Sequence, residues 1–113
     1  MARPLFLYGT LLDPALLAAK AGRRPRGLVS ARAPGFRRVT FRATPYPTLV
    51  PGADSVAGVV FRPTVCALRR LAAYEGPGYR LRPLRVVTAR GPVWARAWMV
   101  ARHLADATRP WPR

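Results

Sequence analysis

Acidic side chains are the scarcest class in this 113-residue chain: Asp13, Asp54, Glu75 and Asp106 stand against twenty Lys and Arg, for a formal net charge of +16. So few carboxylates cannot supply a broad network of surface ion pairs, and Glu75 is the sole glutamate. Cysteine is nearly missing too. Cys66 stands alone, so an intramolecular disulfide is excluded, and with His103 as the single histidine no Cys/His cluster can hold a structural zinc. Lys20 is the only lysine, which makes the other nineteen basic residues Arg. No apolar run approaches the roughly 18–20 residues needed to span a bilayer. The run Leu5-Phe6-Leu7-Tyr8 is too short for a signal sequence and has no small-residue cleavage site after it. No metal, no cofactor and no membrane partner are expected, and the simplest location is the cytoplasm.

What is present describes one globular domain. At 12.5 kDa and 50% hydrophobic residues, the chain can build a single core but not two. Its abundant Arg, Ala, Pro and Gly are all encoded by GC-rich codons, so coding bias and a solvated basic surface account for much of the charge. The rival reading is a basic nucleic-acid-binding module using the Arg surface with Trp94 and Trp98, whose affinity would fall steeply with salt. Net charge bears on solubility and association rather than on fold.

Along the chain, Leu5-Phe6-Leu7-Tyr8 reads as a short strand buried on both faces, broken by Gly9-Thr10. Asp13-Pro14 is a helix start, with Asp as N-cap and Pro at the first helical position, and Gly22 can cap the far end after Ala21. Residues 28–33, 36–42 and 56–62 are strand candidates, separated by Pro34-Gly35, Pro45-Tyr46-Pro47 and Pro51-Gly52. Gly58 marks a close backbone approach or a bulge. Thr64 caps a second helix over 65–74 with Val65, Leu68, Leu71 and Ala72 on one face. Two longer strands follow, over 79–89 and 92–101. The expectation is an α+β domain over 1–105, a small mixed β-barrel of five to seven strands with two flanking helices, and a flexible C-terminal tail over 106–113.

Two segments can carry chemistry. In Tyr8-Gly9-Thr10-Leu11 a buried strand ends in glycine just before a helix, which tends to leave consecutive N–H groups of Gly9, Thr10 and Leu11 without ladder partners. Such a run can hold a carboxylate or phosphate, although an ordinary strand-to-helix turn also explains it. It is neither a P-loop nor a dinucleotide fingerprint, because both glycine spacings are missing. In Tyr74-Glu75-Gly76-Pro77-Gly78-Tyr79-Arg80 the glutamate ends a helix, the unfavourable end for an anion. It is either a surface residue paired with Arg80 or Arg82, or an acid held there for a purpose.

Taken together, these segments resemble the γ-glutamylcyclotransferase superfamily, including the avirulence-induced-gene-like proteins. The resemblance rests on Tyr8-Gly9-Thr10-Leu11 after an apolar strand, on Tyr46-Pro47, on Val56-Ala57-Gly58-Val59-Val60-Phe61, and on Tyr74-Glu75-Gly76-Pro77-Gly78-Tyr79-Arg80, in that order over residues 4 to about 100. It implies a small mixed barrel with flanking helices and cofactor-free chemistry on a γ-glutamyl amide, as in glutathione metabolism. There the substrate's α-amine attacks its own γ-carbonyl, forming 5-oxoproline and releasing an amine or amino acid. The resemblance assigns the α-carboxylate to the amides of Gly9, Thr10 and Leu11, the acid/base role to Glu75, and substrate contacts to Tyr8, Tyr46 and Tyr79. A related reading is a member that binds a small γ-glutamyl metabolite without efficient turnover. The chain departs from the family in having Trp98 and Val100 where many relatives have tyrosines. Nearby arginines would depress the pKa of Glu75 and burial would raise it, so the acid/base role requires burial to prevail. Among the remaining residues, Cys66 is expected as a small buried hydrophobe, His103 as a surface residue, and Arg37, Arg38, Arg80 and Arg82 as solvated faces.

Overall fold

The computed structural model describes residues 3–112. A short strand β1 (Leu5–Leu7) leads through a 3-10 turn (Thr10–Leu12) into helix α1 (Pro14–Ala21). Two long strands follow, β2 (Val29–Phe41) and β3 (Pro47–Phe61), then helix α2 (Val65–Glu75), a hairpin of β4 (Arg80–Thr88) and β5 (Gly91–Met99), and strand β6 (Ala105–Pro110). The strands run in the order β3-β1-β5-β4-β2-β6, and a further β3–β2 pairing closes the first five into a barrel. β1 is antiparallel to β3 and parallel to β5, so the barrel is mixed. This is the α+β barrel with two helices that the sequence leads one to expect.

The pleat of β1 explains why it must be apolar on both faces. Phe6 and Tyr8 point into the barrel with Ala31, Ala33, Leu49, Val56, Leu84, Val86 and Ala97. Leu5 and Leu7 point outward and pack under Leu17, Ala21 and Leu71 of the two helices. Asp13 caps α1, its carboxylate accepting from the Ala15 N–H at 3.2 Å, and the Thr64 hydroxyl caps α2 through the Ala67 N–H at 3.1 Å. Both caps match the sequence signals, because a cap is local chemistry.

Four expectations are corrected. Residues 28–33 and 36–42 are one strand rather than two: Pro34 and Gly35 sit at a register shift, with Gly35 at φ 81°, where the missing proline donor costs no ladder bond. β3 likewise begins at Pro47, not 56, and runs through Pro51-Gly52 because Pro51 stands opposite Phe36 at that same shift. The tail is not loose over 106–110: β6 pairs antiparallel with β2, Phe41 opposite Ala105 and Thr40 opposite Asp106. The Trp111 indole N–H then donates to the Pro45 carbonyl at 2.8 Å. In α2, Val65 and Cys66 are exposed, while Ala67, Leu68, Leu71 and Tyr74 face the core. Because the thiol stands in solvent, Cys66 is expected to react with a colourless disulfide reagent in the folded protein without denaturant. A buried thiol would react only after unfolding.

Candidate active site

The closure of the barrel brings the two chemically suggestive segments together. β1 hands the chain to Tyr8-Gly9-Thr10-Leu11, while α2 delivers Glu75 as its last residue. One cavity of about 120 Å³ is lined by Tyr8, Gly9, Thr10, Leu11, Tyr46, Glu75 and Tyr79, with Phe6, Leu7, Pro47, Tyr74 and Trp98 completing its walls. The structure therefore places all seven of the sequence-selected residues around one hollow.

In the loop, the Leu12 N–H is the first to bond backward, donating to the Gly9 carbonyl at 3.0 Å. Helix geometry accordingly leaves the N–H groups of Thr10 and Leu11 at the start of this turn without an intrahelical acceptor. Pro47 lies directly on Gly9: a Cβ built there would sit 2.5 Å from the Pro47 Cγ. The Tyr46-Pro47 element and the loop glycine are thus one packing unit. The Thr10 hydroxyl stands 3.2 Å from the Tyr74 hydroxyl, and the Lys20 ammonium lies 5.2 Å from the centre of the Tyr74 ring.

Two tyrosines are locked as walls. The Tyr8 hydroxyl donates to the Trp98 carbonyl, and the Tyr79 hydroxyl donates to the Pro47 carbonyl at 2.5 Å. Burial raises the pKa of both well above the usual phenol range, with the Glu75 charge adding to the effect, so both remain protonated donors. Tyr79 is also held edge-on by Phe41.

Glu75 is the unusual group. Burial pushes its carboxyl up from 4.5 to about 7. The competition between arginines and burial is therefore decided in favour of burial; the neighbouring Arg80 and Arg82 are exposed and, among the described residues, no arginine lines the cavity. A carboxyl poised near neutrality can accept a proton and return it within one reaction cycle.

Five wall residues, Phe6, Leu7, Pro47, Tyr74 and Trp98, were not selected from the sequence as site residues. Tyr74 adjoins Glu75 and Pro47 adjoins Tyr46, so proximity to the motifs is the signal that finds them. Trp98, where many relatives have a tyrosine, reaches the wall through the pairing of β5 with β4 opposite Leu81. Val100, the other departure from the family pattern, belongs to a separate core with Val39 and Ala105. The tryptophan pair of the nucleic-acid reading is not a surface pair: Trp94 is 62% exposed and Trp98 only 5%.

Arg38, expected on a solvated face, instead supports the site from behind. Its Nη1 donates to the Tyr8 carbonyl at 2.6 Å, its Nε donates to the Trp111 carbonyl at 3.0 Å, and its guanidinium lies 5.4 Å from the Trp111 ring centre. Partial burial lowers its pKa. Arg38→Ala removes two charge-assisted hydrogen bonds that join Trp111, just after β6, to Tyr8 at the start of the loop, at an expected cost of about 2 kcal/mol in urea unfolding. Arg37→Ala serves as the control, with a change within roughly 0.5 kcal/mol expected.

Comparisons with known proteins agree with this architecture. The family model described as "Gamma-glutamyl cyclotransferase, AIG2-like" matches residues 5–112, and the chain belongs to that family. Among solved structures, one from Arabidopsis thaliana is 29% identical, with a TM-score of 0.77 over 95% of this chain and 73% of that one. A γ-glutamyl cyclotransferase is 18% identical, with a TM-score of 0.74 over 94% of this chain and 69% of that one. An uncharacterized Homo sapiens protein is 19% identical, with a TM-score of 0.72 over 92% of this chain and 68% of that one. The last two establish the fold. No curated protein sequence matches the chain. Among the described residues no helix is long and apolar enough to cross a membrane, and no three His, Cys, Asp or Glu side chains converge as a metal site.

Proposed function

We propose that the protein is a γ-glutamyl cyclotransferase, converting a γ-glutamyl amide into 5-oxoproline and a free amine or amino acid, with Glu75 as acid and base. The observation that carries this reading is the shared cavity: the one glutamate, with a carboxyl poised near 7, lines the same hollow as the loop whose first amides lack helical acceptors. The loop of Gly9, Thr10 and Leu11 holds the substrate's α-carboxylate, and Tyr8, Tyr46 and Tyr79 shape the hollow around its chain.

With the α-carboxylate fixed, the α-ammonium lies near Glu75, which takes one of its protons. The amine nitrogen attacks the γ-carbonyl carbon, forming a five-membered ring through a tetrahedral intermediate. The C–N bond to the leaving group then breaks as Glu75 returns the proton to the departing nitrogen. The ring nitrogen still carries two hydrogens at that point and gives its second proton to the Glu75 carboxylate, which passes it to the released amine as its ammonium; one carboxyl thus serves every transfer in turn. Because attack is intramolecular, fixing both ends of the chain lowers the barrier by several kcal/mol through restricted motion alone. Such a reaction belongs to the cytoplasmic metabolism of glutathione and other γ-glutamyl compounds.

The test is a panel of γ-glutamyl amides assayed for 5-oxoproline. Release from at least one, with little dependence on salt, is the expected result. Binding of the panel without release from any member would leave a metabolite-binding protein in place of an enzyme.

A further inference from the structure

A second and larger cavity lies away from the candidate active site. It measures about 480 Å³ and is formed where α1 ends, the 22–26 connection crosses, and β3 passes into α2. Arg23, Arg24, Arg26, Arg62 and Arg70 line it, and among the described residues no acidic one does. Its apolar surface comes from Ala21, Pro25, Phe61, Pro63 and Ala67.

The placement of charge here is not what a uniformly basic surface gives. Asp13 stands at the opposite end of α1 and Glu75 at the opposite end of α2, so the two helices carry their acids away from this hollow. Arg70 is held by packing: its Cδ and Nε lie 3.0 Å from where a Cβ on Gly22 would stand, and glycine leaves the room it occupies. Among the described residues, Arg23, Arg24, Arg26 and Arg70 meet no carboxylate in this lining, and planar guanidinium forks match phosphate oxygens two at a time.

We propose that this cavity is a binding site for a small polyphosphate anion, the chemistry shared by inorganic tripolyphosphate and the phosphate chain of a nucleoside triphosphate. Its volume falls in the range of small-molecule sites rather than that of a long, open track. The only aromatic lining it is Phe61, itself 4% exposed, so no stacking platform for successive bases is offered. The exposed Trp94 is not among its lining residues.

The test is calorimetric titration of the full chain with sodium tripolyphosphate, with ATP and with a single-stranded oligonucleotide. It is repeated on R23S/R24S and on the charge-matched control R85S/R90S. All four positions are exposed, so both variants retain the fold, which a thermal melt checks. Tripolyphosphate is expected to bind with one-to-one stoichiometry. The cavity variant is expected to lose affinity on the order of tenfold or more, as two charge-assisted contacts require, while the control changes far less. Tighter binding of ATP than of tripolyphosphate would assign the apolar wall to a nucleoside; equal binding would assign the site to the phosphate chain alone. Equal losses in both double variants would overturn the proposal, since affinity would then follow net charge. Preferential binding of the oligonucleotide, or no binding at low salt, would overturn it too.

Discussion

Glu75→Gln is expected to lower 5-oxoproline release by about 10²- to 10⁴-fold while making the protein more stable above neutral pH. The first effect follows from removing the group that moves the proton in both halves of the proposed reaction. The second follows from linkage. In the unfolded chain the carboxyl ionises near 4.5, whereas in the folded protein burial holds its proton to about 7. Between those values the folded state carries the extra proton, so this group's contribution to stability falls as pH rises through the window and levels off above it. Glutamine does not titrate. The stability curves of parent and variant therefore lie close near pH 4 and separate by pH 8. The variant is then more stable by roughly 2 kcal/mol, a figure that allows for partial exposure of the carboxyl. Urea unfolding across this range measures the separation. A variant that loses activity and stability together would point to a structural role instead. In the parent, the acid limb of kcat/KM should fall near 7, because that parameter reports the free enzyme.

Gly58→Ala is expected to be the most damaging single methyl in the barrel. Its Cβ would stand 2.1 Å from the Leu7 carbonyl oxygen and 2.8 Å from Phe6 Cε1. The first of these atoms is backbone on β1, which pairs with β3 through Leu7 and Val59, so relief requires the two strands to separate. The cost is expected to exceed about 4 kcal/mol, a large share of a small domain's total stability. Gly27→Ala isolates the cause. Gly27 has φ 71° with nothing within 4 Å of the added Cβ, so that variant bears only the conformational penalty, about 1 kcal/mol. If the two glycine variants melt alike, the close approach of β1 and β3 is not what constrains position 58.

The elements readable from sequence are those set by local chemistry. Asp13-Pro14 and Thr64 mark helix starts because a cap needs only the next three residues, and β1 shows its double burial in four consecutive apolar side chains. Glu75 and the Gly9 loop were legible because each breaks a local expectation: an acid at a helix end, and a glycine just where a buried strand stops. What stayed hidden depends on partners remote in the chain. Pro34-Gly35 and Pro51-Gly52 read as strand ends, yet they face one another across a shared register shift and interrupt neither strand. The residues of β6 have no apolar alternation and are ordered by the edge of β2. Arg38 looks like any other of nineteen arginines until Tyr8 and Trp111, from opposite ends of the chain, supply its acceptors.

Because Glu75 is the only glutamate, a protein labelled with ¹³C at the glutamate side-chain carboxyl gives one resonance, and its chemical shift against pH reports this site alone. A midpoint about 7, as burial in the cavity beside the Gly9–Leu11 loop requires, is the predicted result. A midpoint near 4.5 would mean that the carboxylate is solvated, and would contradict its assignment as the group that carries the proton.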